Sequence, residues 1–433
     1  MLARKVVSLR KLANGRSEAV KFERWLGNKN VTVARLIQTE QARLRHIVRE
    51  RHVLAIQDTT ELNYAKHAGR VYGLGTVGNG EDVGFFMHPM RVLDADTEAC
   101  LGSAAIHIEN RLKGASANYQ SLPIEEKESY RWISTAETSK EVLCEARCVT
   151  FLGDRENDIY EFIDRIPDEK THMIIRARHD RRLAEADKLF SHLDKQEAMG
   201  KMTIQVPREL RRNRAAREAT LLLKWSEVVI KKSKSCRDAG ASKTVKLRVV
   251  EAKELACLPG QKAVHWVLLT THAVNDVEEA KQIILWYRKR WHVEQVFRTM
   301  KKKGLDIESS QVASAENLMK LAVMALCAAI QILQMVVARN GLTKQKTADV
   351  FSEEEQQVLA LLLAQLEGKT AKQKNPYSKE NLAWATWIMA RLGGWDGYVQ
   401  GKHPPGPGTI GWGLQRFRGI LDGYKLCKNV WAQ

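Results

Sequence analysis

The sequence predicts a mixed α/β domain that carries a β-rich insertion and is flanked by helices. Three observations lead there. Apolar, β-branched runs alternate with amphipathic helical stretches over residues 51–182. Residues 183–272 turn to alternating strands divided by charged turns, and the chain from 275 onward is helical. The 433 residues thus divide into a helical, basic segment (1–50), the first part of a core (51–182), a β-rich insertion (183–272), the second part of the core (273–340) and a helical C-terminal region (341–433).

The first segment reads as two helices, "SEAVKFERWL" and "TVARLIQTEQARLRHIVRE", about a turn at "GNKN". "HVLAIQDTTELNY" is a strand ending at Asp58. The glycine-rich "YGLGTVGNGEDVG" lacks the lysine and hydroxyl residue that complete a phosphate-binding loop, so it is a plain loop. "FFMHPMRVLDADTEACLGSAAIHI" predicts a hairpin turning at "DADTEA". "CVTFLGD" is a strand reaching Asp154, "ENDIYEFIDRI" an amphipathic helix, and "HMIIRARH" a further strand. The insertion contributes "KMTIQVP", "EATLLLKWSEVVI", "TVKLRVVEA" and "AVHWVLLTT". Two basic blocks in it, "PRELRRNRAAREA" and "KKSKSCRD", have the composition of solvated loops. "LAVMALCAAIQILQMVV" (Leu321–Val337) is short for a bilayer span and contains Gln331 and Gln334, so it reads as a buried core helix, with no membrane partner. "GKHPPGPGTIGWG" reads as a connector before a last helix, "LQRFRGILDGY".

Charge narrows the function. Lys+Arg number 69 against 51 Asp+Glu, a net charge of +18. Such a balance favours a polyanionic partner, nucleic acid before an anionic membrane surface. The 7 cysteines include no CxxC pair and no second Cys/His pair at zinc spacing, so they read as buried free thiols of a reducing cytoplasm. No apolar signal core opens the sequence.

"ILWYRKRWHVEQVFRTMKKKG" places one glutamate among many cations. As a single helix, it would project Tyr287, Arg290, Glu294 and Lys301 within an arc of roughly 60°, with Trp291 and Arg298 at the edge of that stripe. Leu285, Val293, Val296 and Met300 would supply the apolar footing opposite. Cleavage of a phosphodiester with two metal ions ~4 Å apart needs carboxylates converging from several segments and cations to grip the backbone. Asp58, Asp154 and Glu294 stand where strand and helix ends could deliver them. Asp154 would equally serve to cap the helix that follows.

Tyr287-x2-Arg290-x3-Glu294-x6-Lys301 resembles the YREK signature of bacterial DDE transposases, in the fourth large insertion-sequence family, the branch that includes the transposase of transposon Tn-five. "AIQDTTELNY" is similar to that family's first-aspartate block, "GDRENDIYEF" to its second, and "GFFMHPMRVLDADTEACLG" to the text between them. The resemblance runs from about Lys21 to the C-terminus. It implies an RNase H-like core interrupted before the glutamate by a β-rich insertion. By motif position it implies Asp58, Asp154 and Glu294 as catalytic, metal-binding residues for Mg²⁺ (Mn²⁺ as substitute), with two ions expected. Tyr287, Arg290, Arg298, Lys301 and Arg176 are implied DNA contacts, with Trp266 and Trp291 at a base flipped during hairpin formation. The partners implied are double-stranded DNA (terminal inverted repeats and target) and a second copy in a homodimer on DNA. The location implied is the bacterial cytoplasm at the nucleoid. "AVKFERWLGNKNVTVARLI" resembles only the end of the family's longer end-binding region. The alternative is therefore a truncated, non-catalytic relative that binds DNA, or dimerises with an intact enzyme and inhibits it.

Overall fold

The computed structural model describes residues 7–13, 15–78, 80–112, 122–185, 188–206, 215–256, 262–302, 305–399, 401 and 403–431. Along the chain come helices α1 (Leu9–Leu12), α2 (Arg16–Leu26) and α3 (Val33–Ile47), then strands β1 (His52–Gln57), β2 (Thr60–Asn63), β3 (Gly75–Val77), β4 (Asp82–Asp94) and β5 (Cys100–Glu109). Next are α4 (Tyr130–Val142), β6 (Cys148–Gly153), α5 (Tyr160–Arg165), β7 (Thr171–Arg176) and α6 (Leu189–Asp194). Strands β8 (Gly200–Val206), β9 (Arg217–Lys231), β10 (Thr244–Glu254) and β11 (His265–Thr270) follow. The remainder is helical: α7 (Val277–Arg288), α8 (Trp291–Lys301), α9 (Ala315–Ala338), α10 (Glu353–Leu366), α11 (Leu382–Leu392) and α12 (Pro407–Trp431). The mixed α/β class expected from the sequence is the one observed. The basic block at 207–214 lies outside the described residues.

The chain folds as two compact units. One comprises residues 1–51, 59–114 and 292–433; the other comprises 52–58 and 115–291. In the first unit β4 pairs antiparallel with β2, β3 and β5. Helix α9 packs on β5 and α3. It is the helix long and apolar enough to cross a membrane, yet 72% of its most apolar window is buried inside the protein. A second apolar cluster joins its C-terminal half to α10, α11 and α12 and contains Phe351, Trp384, Trp387 and Phe417. The tryptophans of "NLAWATWIMARL" are thereby core residues, Trp384 and Trp387 being 4% and 2% exposed.

The second unit is built on the sheet order β1-β6-β7-β11-β10-β9-β8. Its first three strands are parallel and in register, His52 opposite Cys148 and Val149 opposite Thr171. They are buried almost throughout, as parallel strands covered on both faces are. β11 pairs antiparallel with β7, Leu268 opposite Arg176, and hands the sheet on to β10, β9 and β8. The β-rich segment therefore continues the sheet. β8 and β9 alternate burial along their length, the pattern of strands with one wetted face.

Three sequence expectations are corrected. The cysteines are free, but Cys144 and Cys427 are exposed; among those described, only Cys100 and Cys236 are buried. "ENDIYEFIDRI" splits into a 3-10 turn (Arg155–Asn157) and the short α5. The glycine-rich "PGTIGWG" is helical from Pro407, not a connector. A Cβ at Gly413 would lie 1.6 Å from the Met389 carbonyl oxygen, so glycine here buys a close approach of α12 to α11 that outweighs its poor helix propensity.

Candidate active site

Asp58 and Asp154 directly follow the C-terminal ends of β1 and β6. The in-register pairing of those strands runs to Ile56 opposite Leu152. Asp58 and Asp154 therefore stand at the same end of two neighbouring parallel strands. Sequence and topology thus bring two carboxylates to one sheet edge. Gly153 makes the turn after β6 feasible, since a Cβ there would meet the Asn157 side chain at 2.3 Å. Asp154 does cap the turn: Oδ1 accepts from the Glu156 N–H at 2.8 Å. Capping occupies one oxygen and leaves the carboxylate half-exposed. Asp58 accepts from Arg290 Nη1 at 3.0 Å through Oδ2, with both side chains about four-fifths buried.

The expected single helix over 284–304 is not formed. It breaks at Lys289–Arg290, where the Lys289 and Arg290 N–H groups bond back to Trp286 and Tyr287 three residues earlier. A tightened turn of that kind ends the 100° per residue progression on which the common stripe was reckoned. Within α7 the buried set is Ala280, Ile283, Ile284 and Tyr287, at the i, i+3, i+4, i+7 spacing of a core face. Tyr287 therefore faces inward and Leu285, expected inside, is exposed. Asp276 caps α7, its side chain accepting from Glu279 N–H, with two acidic residues in the first turn favouring that end.

Around Tyr287 the remaining site residues of the second unit gather. Its ring meets that of Trp266 edge-on, with centroids 6.0 Å apart. Burial holds its phenol above the ordinary value, while Arg290 and Arg176 beside it pull the other way. The Arg176 guanidinium is lowered, first by burial and then by the neighbouring Arg155 and Arg290, and Tyr287 opposes that shift. Arg176 also donates to the His265 carbonyl at 2.8 Å, which ties β7 to the start of β11. A cavity of about 530 Å³ opens here, lined by Arg155, Arg176, Arg178, Phe190 and His265. Sequence reasoning named only Arg176 of these. Arg155 next to Asp154, and Arg178 two residues beyond Arg176, were the legible signals. Phe190 and His265 gave none.

The rest lie on α8. Trp291, at its start, is 54% exposed. Glu294 is half-exposed, and Arg298 exposed, on the face opposite the buried Val293, Val296, Phe297 and Met300. Lys301 pairs with Glu308 at 3.5 Å. The fully buried Arg91 donates to the His292 carbonyl at 2.5 Å and fixes the first turn of α8 within its own unit. Among the described residues, no three His, Cys, Asp or Glu side chains are gathered to hold one ion. The donors at the sheet edge are nonetheless carboxylate oxygens, which suit a hard divalent cation.

Residues 135–330 match a family model described as a transposase DDE domain. The match takes in Asp154, Arg176, Trp266 and the whole of α7 and α8, and Asp58 precedes it. The cryo-EM structure of a piggyBac transposase synaptic complex with hairpin DNA is similar at 12% identity and a TM-score of 0.32, over 70% of this chain and 50% of that one. This chain spans about half the length of that protein.

Proposed function

We propose that this protein is a DNA transposase of the DDE class, in the YREK branch of the insertion-sequence transposases, that cuts and rejoins DNA by metal-dependent phosphodiester chemistry on an RNase H-like core. The observation that carries the proposal is the placement of Asp58 and Asp154 at the same ends of the adjacent parallel strands β1 and β6, with Arg290, Arg176 and a buried Tyr287 nearby, in a chain whose residues 135–330 match a transposase DDE domain model. Asp58, Asp154 and Glu294 would hold Mg²⁺ or Mn²⁺, as two ions. Glu294 is proposed as the third ligand on its motif position, Arg290-x3-Glu294. Bound there, the ions would activate the attacking oxygen and stabilise the leaving one.

The chain's own residues do the rest. Arg290 and Arg176 offer guanidinium groups to a phosphate at the sheet edge, and Arg298 and Lys301, on α8, are proposed as further phosphate contacts. Trp266, braced edge-on by Tyr287, and the exposed Trp291 offer faces on which an unstacked base can rest during hairpin formation. Terminal inverted repeats and target DNA are the proposed substrates, with a homodimer assembled through the C-terminal helices, on the bacterial nucleoid.

The test is nicking of a supercoiled plasmid that carries the gene's own flanking sequences, with Mn²⁺ present. Wild type is expected to nick. Asp58→Asn, Asp154→Asn and Glu294→Gln are each expected to lose about 100-fold or more in rate while still binding the plasmid in EDTA. Nicking that survives all three changes would end the proposal. Binding and dimerisation without nicking by wild type would favour an inhibitory, non-catalytic relative.

A further inference from the structure

The lysine-rich block at 231–235 forms one wall of a second cleft in the second unit, of about 520 Å³. Lys231, Lys232 and Lys234 line it from one side, Lys127 and Arg182 from the other. Six Lys and Arg side chains stand against three carboxylates, and those three are already engaged. Asp158 is fully buried in a bidentate pair with Arg181 and also accepts the N–H groups of Arg178 and His179 at 2.8 Å. Asp180 accepts from Phe190 N–H at 2.9 Å and lies 3.7 Å from Lys188. Glu161 is buried and hydrogen-bonds the Cys236 thiol. Arg181 is held by Asp158 and Lys232 donates to the Asp238 carbonyl, so Arg182, Lys231 and Lys234 are the charges offered to a ligand from outside.

The chemistry of the wall selects that ligand. Ammonium and hydroxyl groups alternate along Lys232, Ser233, Lys234 and Ser235, with Lys232 tied to the Asp238 carbonyl and the two serine hydroxyls 2.7 Å apart. Such groups grip phosphate oxygens along a strand without reading bases. Tyr160, the aromatic residue of the lining, is 2% exposed and offers no stacking face. The position fits a continuous polymer. Residues 176–178 line the cavity beside Asp154, and residues 179–182 line this cleft. Asp154 and Asp158 are the two ends of a single turn. The linings of the two cavities are thus consecutive along the chain at residues 176–182.

We propose that this cleft is a second DNA-backbone site, which holds the phosphodiester strand away from the scissile position. The inference rests on the DNA-processing reading above and adds a surface that reading does not need.

The full-length protein with Arg182→Gln, Lys231→Gln and Lys234→Gln tests it, by fluorescence anisotropy on a labelled duplex in EDTA across a salt series. Each backbone contact contributes about 0.9 to the slope of log K against log salt, so the triple variant is expected to lose about 2–3 from the slope and bind about tenfold more weakly at low salt. A control triple, Lys344→Gln, Lys369→Gln and Lys372→Gln, removes the same charge from exposed positions of the first unit and is expected to leave the slope unchanged. An unchanged slope in the cleft variant, or an equal loss in the control, overturns the site while leaving the transposase reading intact. Absence of salt-dependent duplex binding by wild type overturns both.

Discussion

At Asp58 the carboxylate accepts from the Arg290 guanidinium at 3.0 Å. On the proposed function a divalent cation would compete for Asp58 and a DNA phosphate for Arg290. The pair would then couple metal entry to DNA arrival. Arg290→Ala separates the two roles. It is expected to tighten Mn²⁺ binding to the DNA-free protein by about tenfold, the worth of one charge-assisted hydrogen bond. It is also expected to slow nicking by about 100-fold, since the cation that steadies the phosphate is lost. Paired titration and rate measurements check this; weaker metal binding in the variant would contradict it. The strand-end placement of Asp58 and Asp154 was legible in the sequence because strand ends are local signals, whereas the pairing of Asp58 with Arg290 was not. Arg91, Phe190 and His265 were not, because their roles arise from contacts with residues far along the chain.

Among the elements, α7 shows what periodicity alone misreads. A polar stripe summed across 284–304 assumes one uninterrupted helix, and the turn at Lys289–Arg290 removes that assumption. Tyr287 then belongs to the buried face, where its ring is covered and its hydroxyl meets cations. Trp286, next to it, packs edge-on against His52, with ring centroids 4.8 Å apart, and 5.0 Å from His272. Thr150 Oγ1 lies 2.8 Å from both His52 Nε2 and His272 Nε2, and His172 stacks on His272 at 4.0 Å. Burial first, then His172 and His52, hold His272 down to about 3. The unfolded imidazole titrates near ~6.5, so between those values the unfolded chain binds more protons. Stability is full above pH ~6.5 and falls as the pH drops toward ~3, by about 1.4 kcal/mol per unit at the steepest. The urea midpoint of wild type is expected to fall between pH 7 and pH 5, and that of His272→Gln to fall less. Identical pH dependence would contradict the assignment. In the first unit, Gly413→Ala forces α12 off α11 and is expected to cost about 1–3 kcal/mol, read as a lower urea midpoint at unchanged m. Glycines in "GTIGWG" suggested a connector because composition reports backbone freedom, whereas only tertiary contact reveals a close helix approach.

Over the whole molecule, the second unit gathers charge chemistry on one sheet. Parallel β1, β6 and β7 deliver side chains to their C-terminal edge, and the antiparallel β11–β8 segment extends the same sheet with Trp266 and the lysine-rich turn. Most strands were legible because each run is apolar, β-branched and bounded by turn residues; β2 and β3 were not, β3 lying in the glycine-rich stretch read as a loop. That β8–β11 join β7 edge-on was not, because pairing of β7 with β11, some ninety residues later, leaves no local trace. The first unit buries the apolar α9 and the tryptophans of α11, so its hydrophobic stretches are accounted for as core. The net charge of +18 sets the expectation for all binding measured on this protein: affinity for duplex DNA should fall steeply with salt. The most direct measurement is Mn²⁺ binding by electron paramagnetic resonance on the complex with duplex DNA. A metal site at the β1 and β6 ends, as proposed, predicts about two bound ions in wild type and a loss of tight binding in both Asp58→Asn and Asp154→Asn. Wild-type stoichiometry and affinity in the two variants would contradict a metal site at that edge.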